Sequence, residues 1–106
     1  MKSRCKGTIK EIRPIKELTR VRVQQFIFTK DAYYHPITKK LVSDEMSYLI
    51  QAMNEACDLL AGFKPNDRVQ VDVWINGIET FSSQGEPIYK NCIRLKYIKK
   101  LSIHEN

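Results

Sequence analysis

Residue types and patterns that would assign a chemistry are scarce in this 106-residue chain. It has three cysteines, Cys5, Cys57 and Cys92, which lie far apart and form no Cys-x-x-Cys pair. Neither of its two histidines, His35 and His104, stands close to a cysteine. This spacing argues against a metal site or a disulfide framework and favours reduced thiols in a cytosolic protein. We therefore expect no metal and a cytoplasmic location.

Long apolar runs and catalytic motifs are also missing. No segment approaches the roughly 18 apolar residues of a membrane span, and no apolar region of a secretory signal follows the charged residues at positions 2–6. The chain has no Gly-rich phosphate loop, no Gly-x-Ser-x-Gly, no His-Glu-x-x-His and no paired carboxylates near a histidine. We expect a protein that is not an enzyme, uses no small-molecule cofactor and does not enter a membrane.

Positive charge is in excess. Eighteen Lys and Arg residues against twelve Asp and Glu give a formal net charge of +6. Such a balance favours an anionic partner such as nucleic acid or a membrane surface, although it also serves solubility alone. The length predicts one domain, residues 1–106.

The clearest structural pattern is a strand that starts near Arg68. Val69, Val71, Val73 and Ile75 alternate with polar residues and with the single tryptophan, Trp74, a period typical of a half-buried strand. A turn-rich segment precedes this strand, and Asn76-Gly77, a common turn dipeptide, follows it. We therefore predict a long polar loop at about 76–87, with Phe81 as its one aromatic residue.

Three other strands are predicted. The first covers residues 4–13, and Gly7 inside it indicates a bend or a close backbone approach. The second covers residues 19–29, where either regular alternation places Gln25 in the core or a bulge at Gln24-Gln25 places Phe26 and Phe28 there. We favour the bulge, because it buries two aromatic rings and no amide. The last strand, about 88–101, alternates Ile93, Leu95 and Tyr97 with the basic stripe of Lys90, Arg94 and Lys96.

Two segments have two interpretations each. Residues 30–40 are polar and look like the extended tip of a hairpin, in which Tyr33 and Tyr34 beside Lys30, Lys39 and Lys40 form either a stacking platform or an ordinary solvated surface. Residues 41–62 show apolar spacing that fits a helix of about five turns, but the alternation from Val42 to Ala52 also fits a strand followed by a shorter helix.

Three strands, a helix, a fourth strand and a closing strand are the order of the OB-fold, a mainly β, five-stranded Greek-key barrel with one helix between strands 3 and 4. The chain also resembles bacterial single-stranded-DNA-binding proteins, and more closely a group of short bacterial domains related to them. Residues 57–71, with their Gly62-Phe63-Lys64-Pro65-Asn66-Asp67 turn, carry most of the resemblance; the segments Gln24–Phe28 and Ile93–Leu95 extend it over roughly residues 5–100. Asn66 departs from it by replacing the usual turn glycine, and no aromatic series or acidic-tipped tail matches those of the well-studied members. The resemblance places a strand at about 45–52 and a helix at about 54–62.

On this fold, the outward residues of strands 2 and 3 and the long loops are the expected nucleic-acid surface. The candidate residues are cations for phosphates and aromatic rings for bases: Arg20, Arg22, Lys30, Tyr33, Tyr34, Lys39, Lys40, Trp74, Phe81, Lys90, Arg94 and Lys96.

Two functions compete at this point. The first is binding of single-stranded DNA or RNA, with DNA favoured, with little sequence specificity, accessory to replication, recombination or mobile elements. The second is an OB-fold domain for protein interaction or oligomerisation without nucleic-acid binding. Related OB-fold binders often self-associate, so a homo-oligomer is expected in either case.

Overall fold

The computed structural model describes residues 1–102. Long strands dominate it, with three short strands and one helix among them. In chain order the elements are β1 (Lys2–Ile12), β2 (Lys16–Glu17), β3 (Arg22–Lys30), β4 (Tyr33–Tyr34), β5 (Leu41–Ser43), β6 (Met46–Met53), α1 (Glu55–Leu60), β7 (Arg68–Phe81) and β8 (Pro87–Lys100).

The five long strands close into a barrel. Their sheet has the order β1-β7-β8-β6-β3, with β2 beyond β3, and β1 also pairs with β3. The first half of β1 is antiparallel to β7 and the second half is antiparallel to β3, with a register shift between Ile9 and Glu11. A single parallel pair, Gln51 with Arg94, joins β6 to β8. This arrangement, with a helix between the third and fourth long strands, is the expected OB-fold.

Gly7 lies where β1 changes from one partner strand to the other. A Cβ atom at this position would collide with the carbonyl oxygen of Thr29 and with the ring of Phe28. The predicted close backbone approach at Gly7 is therefore confirmed, because only a residue without a side chain lets β1 and β3 come so near.

The barrel interior is filled by alternate residues of the long strands. Val69, Val71 and Val73 are buried, as their period-two spacing predicts, and they pack with Ile9, Phe26, Phe28, Ile50 and Leu95. Cys57 and Leu60 of α1 close one end of this core. Apolar burial of this kind is the main stabilising contribution to the fold.

The ambiguous segment 41–62 is strand followed by short helix, as the resemblance implies. β6 ends at Met53, Asn54 turns the chain with a φ of 53°, and α1 begins at Glu55. Residues 46–53 form a strand although their apolar spacing also fits a helix, because only a strand places both Ile50 and Ala52 in the core. Asn66 has a φ of 77°, a left-handed backbone conformation that favours glycine and that asparagine also tolerates.

The bulge predicted at Gln24-Gln25 is wrong. The β3–β6 register runs without a shift from Val23 to Lys30, and Phe26 and Phe28 are still buried. Val23 and Gln25 consequently face outward, whereas Arg22 lies on the side of the strand that carries the two phenylalanines. The irregularity that accommodates the curvature is in β1 instead.

The turn predicted at Asn76-Gly77 is also wrong. Both residues are paired within the β7–β8 ladder, opposite Cys92 and Asn91, and the ladder continues to Phe81 opposite Pro87. The segment 76–87 is therefore mostly a projecting hairpin, the β7–β8 arm, whose turn occupies only residues 82–86. Cross-strand pairing outweighs the local turn preference of the dipeptide.

The alternation predicted for the last strand is broken by a bulge. Asp72 pairs with Tyr97 and Val73 with Leu95, which leaves Lys96 as an extra residue in β8. Leu95 and Ile98 are consequently buried and Tyr97 is exposed, so the prediction that Tyr97 shares the face of Leu95 is wrong.

A second hairpin, β4–β5, stands outside the main sheet and, from Tyr33 to Ser43, includes most of the predicted tip 30–40. At its base, Arg68 donates two hydrogen bonds of 2.6 Å to the carboxylate of Asp31. Residues 1–102 contain no helix with the length and apolar content needed to cross a bilayer.

Candidate nucleic-acid interface

A row of outward-facing side chains crosses the barrel from strand to strand. Trp74 of β7 pairs with Lys2 of β1 on one side and with Arg94 of β8 on the other. Arg94 pairs with Gln51 of β6, which pairs in turn with Gln25 of β3. These five residues, Lys2, Trp74, Arg94, Gln51 and Gln25, form what we call the transverse row. Four inter-strand steps of about 4.8 Å make it roughly 20 Å long.

The row ends at β3 in a shallow surface groove. The connection between β1 and β2 forms one wall, and the floor contains Val23, Gln25 and Gln51. Arg13 in that wall donates a 3.1 Å hydrogen bond from Nη1 to Oε1 of Gln25. Cys92 donates a 3.2 Å hydrogen bond from Sγ to Oε1 of Gln51. Both glutamines are thus held in place by neighbours from other strands.

Trp74 is half-buried and lies towards the β1 end of the row, away from the groove at β3. The ammonium groups of Lys2 and Lys96 lie over its indole ring, 4.5 Å and 5.1 Å from the centroid. Lys96 reaches the ring from its position as the extra residue of the β8 bulge. Both distances are within the range of a cation–π interaction.

Asp72, the acidic residue near Trp74 and its two lysines, is paired with Arg4. Arg4 donates to both carboxylate oxygens of Asp72, over 2.8 Å and 3.1 Å. The hydrogen bond and charge of Arg4 lower the pKa of Asp72, and Lys96 contributes in the same direction. Among residues 1–102, no ion pair holds Lys2, Arg94 or Lys96. These three cations are therefore available to an anionic ligand.

The two hairpins carry exposed aromatic rings and lysines. Tyr33 and Tyr34 of β4 are both more than half exposed, and Lys39 and Lys40 follow in the same hairpin. Phe81 and Tyr89 of the β7–β8 arm are 67% and 74% exposed. Rings with such exposure have free faces on which planar groups can stack.

The arm divides its candidates between two faces. Lys90 pairs with Ile78 and lies on the same face of the ladder as Trp74 and Arg94. Phe81 and Tyr89 lie on the opposite face, which carries the core residues Val73 and Leu95 where the ladder forms part of the barrel. The structure therefore brings together four of the predicted residues, Trp74, Lys90, Arg94 and Lys96, on one surface.

Lys30 lies apart from that surface. Its ammonium group donates to the hydroxyl of Ser43 at 3.1 Å and to the carbonyl of Asp31 at 3.4 Å. Its side chain lines a mostly apolar cavity at the open end of the barrel, with Phe28 and Ile50. These contacts tie the β4–β5 hairpin to the barrel.

Arg20 and Arg22 lie near α1. Arg20 is exposed in the turn before β3. Arg22 pairs with Asp58 at 3.4 Å and donates to the carbonyl of Asn54, and the hydrogen bond to Asp58 raises its pKa. Arg20 thus lies before β3 and Arg22 at its start, and the two arginines are in different surroundings.

Sequence reasoning missed Lys2, Arg13, Gln25 and Gln51 of this surface, and it missed Tyr89 on the other face of the arm. The alternation of Lys2, Arg4 and Lys6 with smaller residues was a signal for an outward basic face on β1. Nothing in the sequence places Gln51 beside Arg94, because that contact depends on barrel closure. No cluster of three or more His, Cys, Asp or Glu residues that could hold a metal is found in residues 1–102.

Comparison with known proteins identifies the fold. No protein-family model matches the chain, and no curated protein does so. Among solved structures, the single-stranded-DNA-binding protein of Plasmodium falciparum in complex with ssDNA is similar, with a TM-score of 0.67, 19% identity and coverage of 95% of this chain and 94% of that one.

Two further structures agree with this match. The yeast mitochondrial single-stranded-DNA-binding protein Rim1 has a TM-score of 0.64 and 17% identity, covering 96% of this chain and 95% of that one. The Thermus aquaticus single-stranded-DNA-binding protein, a deletion mutant, has a TM-score of 0.71 and 10% identity, covering 96% of this chain and 50% of that one. At this level of identity the likeness concerns fold. The chain thus has the OB-fold of the single-stranded-DNA-binding proteins, and the resemblance seen in its sequence is confirmed at that level.

Proposed function

We propose that this chain binds single-stranded DNA with little sequence preference, through the transverse row and the hairpins beside it. The observation that carries the proposal is the row itself, in which one aromatic ring, two cations and two amides lie side by side on the outside of an OB-fold. The net charge of +6 and a similar structure described as a complex with ssDNA support it.

The residues of the row suit a sequence-tolerant contact. Arg94, Lys2 and Lys96 can pair with successive phosphates, while Trp74 offers its ring to a base of any kind. Gln25 and Gln51 each present a donor and an acceptor, so their amides can meet different base edges. A surface of this composition binds the backbone and the π-faces of bases rather than a particular sequence. A role as a non-enzymatic accessory in replication, recombination or mobile-element transfer would follow from such binding.

The proposal is tested by titrating Trp74 fluorescence with poly-dT and with poly-U at several salt concentrations. We expect saturable quenching and an affinity that falls with salt, because log K decreases by about 0.7 per log[salt] for each phosphate neutralised on a single strand. Stronger binding of poly-dT than poly-U would distinguish DNA from RNA as the preferred ligand. Absence of binding by the unaltered protein at low salt would overturn the proposal.

Substitution locates the surface. Arg94→Ala should weaken poly-dT binding and reduce the salt slope, because Arg94 lies in the middle of the row and forms no ion pair with any of residues 1–102. Lys64→Ala is the matched control: it removes the same charge from an exposed position in the turn after α1. Equal binding by the two variants would place the interface elsewhere.

A different observation supports a second function, protein interaction or oligomerisation. The β4–β5 hairpin exposes Ile37, Leu41 and Val42 beside its two tyrosines, and exposed apolar groups in a projecting hairpin are typical of protein contacts. If Arg94→Ala and substitutions of Tyr33 and Tyr34 leave nucleic-acid binding unchanged while hairpin substitutions alter the assembly state, this second function is the better account.

A further inference from the structure

The indole ring of Trp74 is covered in the free protein by its own neighbours. Lys2 from β1 and Lys96 from β8 place their ammonium groups 4.5 Å and 5.1 Å from the ring centroid. We call these two residues the lysine pair. We propose that the lysine pair moves from the ring of Trp74 to the phosphates that flank one nucleotide, whose base then takes the place of the ammonium groups on the ring. This inference rests on the proposed function and assigns the contacts of a single nucleotide within it.

The backbone places both lysines at the ring. Lys2 is the direct cross-strand partner of Trp74, so its side chain starts on the same outward face. Lys96 is the extra residue of the β8 bulge, between the pairs Asp72–Tyr97 and Val73–Leu95. A bulge redirects the side chain that it carries. Without the bulge, Lys96 would pair regularly in the ladder and its side chain would point in a different direction.

The charges around the ring favour arrival of a phosphate. A groove beside Trp74 is lined by Lys2, Arg4, Lys96 and Asp72. Asp72 is the one carboxylate among these side chains, and both of its oxygens accept hydrogen bonds from Arg4. No ion pair to Lys2 or Lys96 is found within residues 1–102. The lysine pair therefore has an aromatic ring as its partner, and no carboxylate has to be displaced.

An exchange of partners is chemically balanced. An ammonium group gains more from a phosphate oxygen, which accepts a charge-assisted hydrogen bond, than from the face of an aromatic ring that is partly open to solvent. The ring in turn loses its cations and gains a stacked base. A base without a phosphate stacks on the ring but offers the lysines no anion, and a phosphate without a base pairs with the lysines but leaves the ring without a partner. The geometry therefore points to a nucleotide unit, base and phosphate together, as the ligand of this part of the surface.

The first test concerns the free protein. Lys2→Met and Lys96→Met keep the length of each side chain and remove its charge, and Lys64→Met is the control. Quenching of Trp74 by acrylamide should increase in the combined Lys2→Met, Lys96→Met variant and stay unchanged in the control, because the ring loses the attraction that keeps it covered. Equal quenching in all proteins would show that the lysines do not cover the ring, and would overturn the inference.

The second test concerns binding. Each of the two substitutions should reduce the salt slope for poly-dT by about 0.7, as expected for the loss of one phosphate contact on a single strand, whereas Lys64→Met should leave it unchanged. A single strand of abasic sugar-phosphate should bind the unaltered protein without the fluorescence change that poly-dT produces. If the unaltered protein binds poly-dT but both variants keep its slope, this inference fails and the proposed function stands. If the unaltered protein does not bind at all, both fail together.

Discussion

At the scale of single residues, Gly7 has the most stringent requirement in the described chain. Its Cα lies so close to the carbonyl of Thr29 that any side chain would push β1 away from β3. This contact closes the barrel between its first two long strands. A glycine here is thus a packing requirement rather than a source of chain flexibility.

We expect Gly7→Ala to lower the free energy of unfolding by at least the roughly 1–3 kcal/mol typical of overpacking, since the obstacle is backbone and cannot rotate away. Urea unfolding followed by circular dichroism measures the change. Gly62→Ala is the matched control, because no atom lies within 4 Å of the added Cβ. Similar unfolding curves for the two variants would contradict the proposed role of Gly7.

The pair of Asp31 and Arg68 connects the β4–β5 hairpin to the barrel wall. Arg68 donates to both carboxylate oxygens of Asp31 and also to the hydroxyl of Thr8. The hydrogen bonds and charge of Arg68 lower the pKa of Asp31. A carboxylate with a lowered pKa in the folded state stabilises the protein at neutral pH, and this contribution disappears as acid protonates it.

We therefore expect Asp31→Asn to lower the melting temperature at pH 7 and to differ progressively less from the unaltered protein as the pH falls below about 4. An unfolded aspartate, with a pKa of about 3.9, protonates first in this range, and the folded carboxylate, with its lowered pKa, protonates at still lower pH. The effect should be modest, because both side chains are partly exposed and solvent screens the pair. Asp44→Asn, which removes an exposed carboxylate without an ion pair in residues 1–102, should show no such pH dependence. A constant difference between Asp31→Asn and the unaltered protein across this pH range would disagree with the assigned role.

At the scale of elements, the two hairpins extend beyond the core and expose aromatic rings. Phe81 and Tyr89 lie on one face of the β7–β8 arm, as diagonal neighbours across the ladder. Neither ring is needed for the barrel interior, since both are more than 60% exposed. These rings are consequently free to serve a ligand or a partner.

If the arm contributes to nucleic-acid binding, Phe81→Ser with Tyr89→Ser should weaken poly-dT binding by about 1–3 kcal/mol for each stacked base, with stability changed by no more than about 0.5 kcal/mol per site. Leu59→Ser, an exposed position on α1, provides the control for loss of surface apolar area. Fluorescence titration measures affinity and thermal melting measures stability. Unchanged affinity in the double variant would exclude the arm from the interface.

The elements also show how far sequence reasoning reaches. The first half of strand β7 and the close approach at Gly7 follow from alternation and glycine placement. The strand–helix division of residues 41–62 came from the resemblance, because local spacing of Met46, Leu49 and Met53 fits a helix equally well. The turn at Asn76-Gly77 failed because pairing with Asn91 and Cys92 is a tertiary property.

The candidate site was less predictable than the fold. Trp74, Arg94 and Lys96 could be singled out by residue type, and the structure places them together. Their neighbours Gln25 and Gln51 come from strands that meet only when the barrel closes. The one-residue bulge at Lys96 determines which side chains face Trp74, and no local sequence pattern predicts such a bulge.

At the scale of the whole molecule, the shape is elongated. The radius of gyration is 16.0 Å and the principal extents are 51, 33 and 20 Å, whereas a compact domain of this length has a radius of about 13 Å. The projecting hairpins account for the difference. Exposed apolar residues at these extremities, among them Ile37, Val42 and Ile78, favour contact with another copy of the chain.

We accordingly expect a homo-oligomer. Sedimentation velocity should give a mass at least twice the 12.4 kDa of one chain at micromolar concentration, and Ile37→Ser with Val42→Ser should shift the equilibrium toward single chains. Lys64→Ala should leave the assembly state unchanged. A mass of one chain at all concentrations would show that the hairpins are not self-association surfaces.

The dependence of barrel closure on β8 has a consequence for synthesis of the protein. Strands β1, β3 and β6 can pair as soon as they leave the ribosome, but the β6–β8 seam and the β7–β8 ladder need residues as late as Lys100. Until then the apolar face that bears Ile50 and Ala52 has no cover. Nascent chains should therefore remain open to proteolysis and to chaperones until translation has passed β8, so the barrel is completed only after this strand has been made.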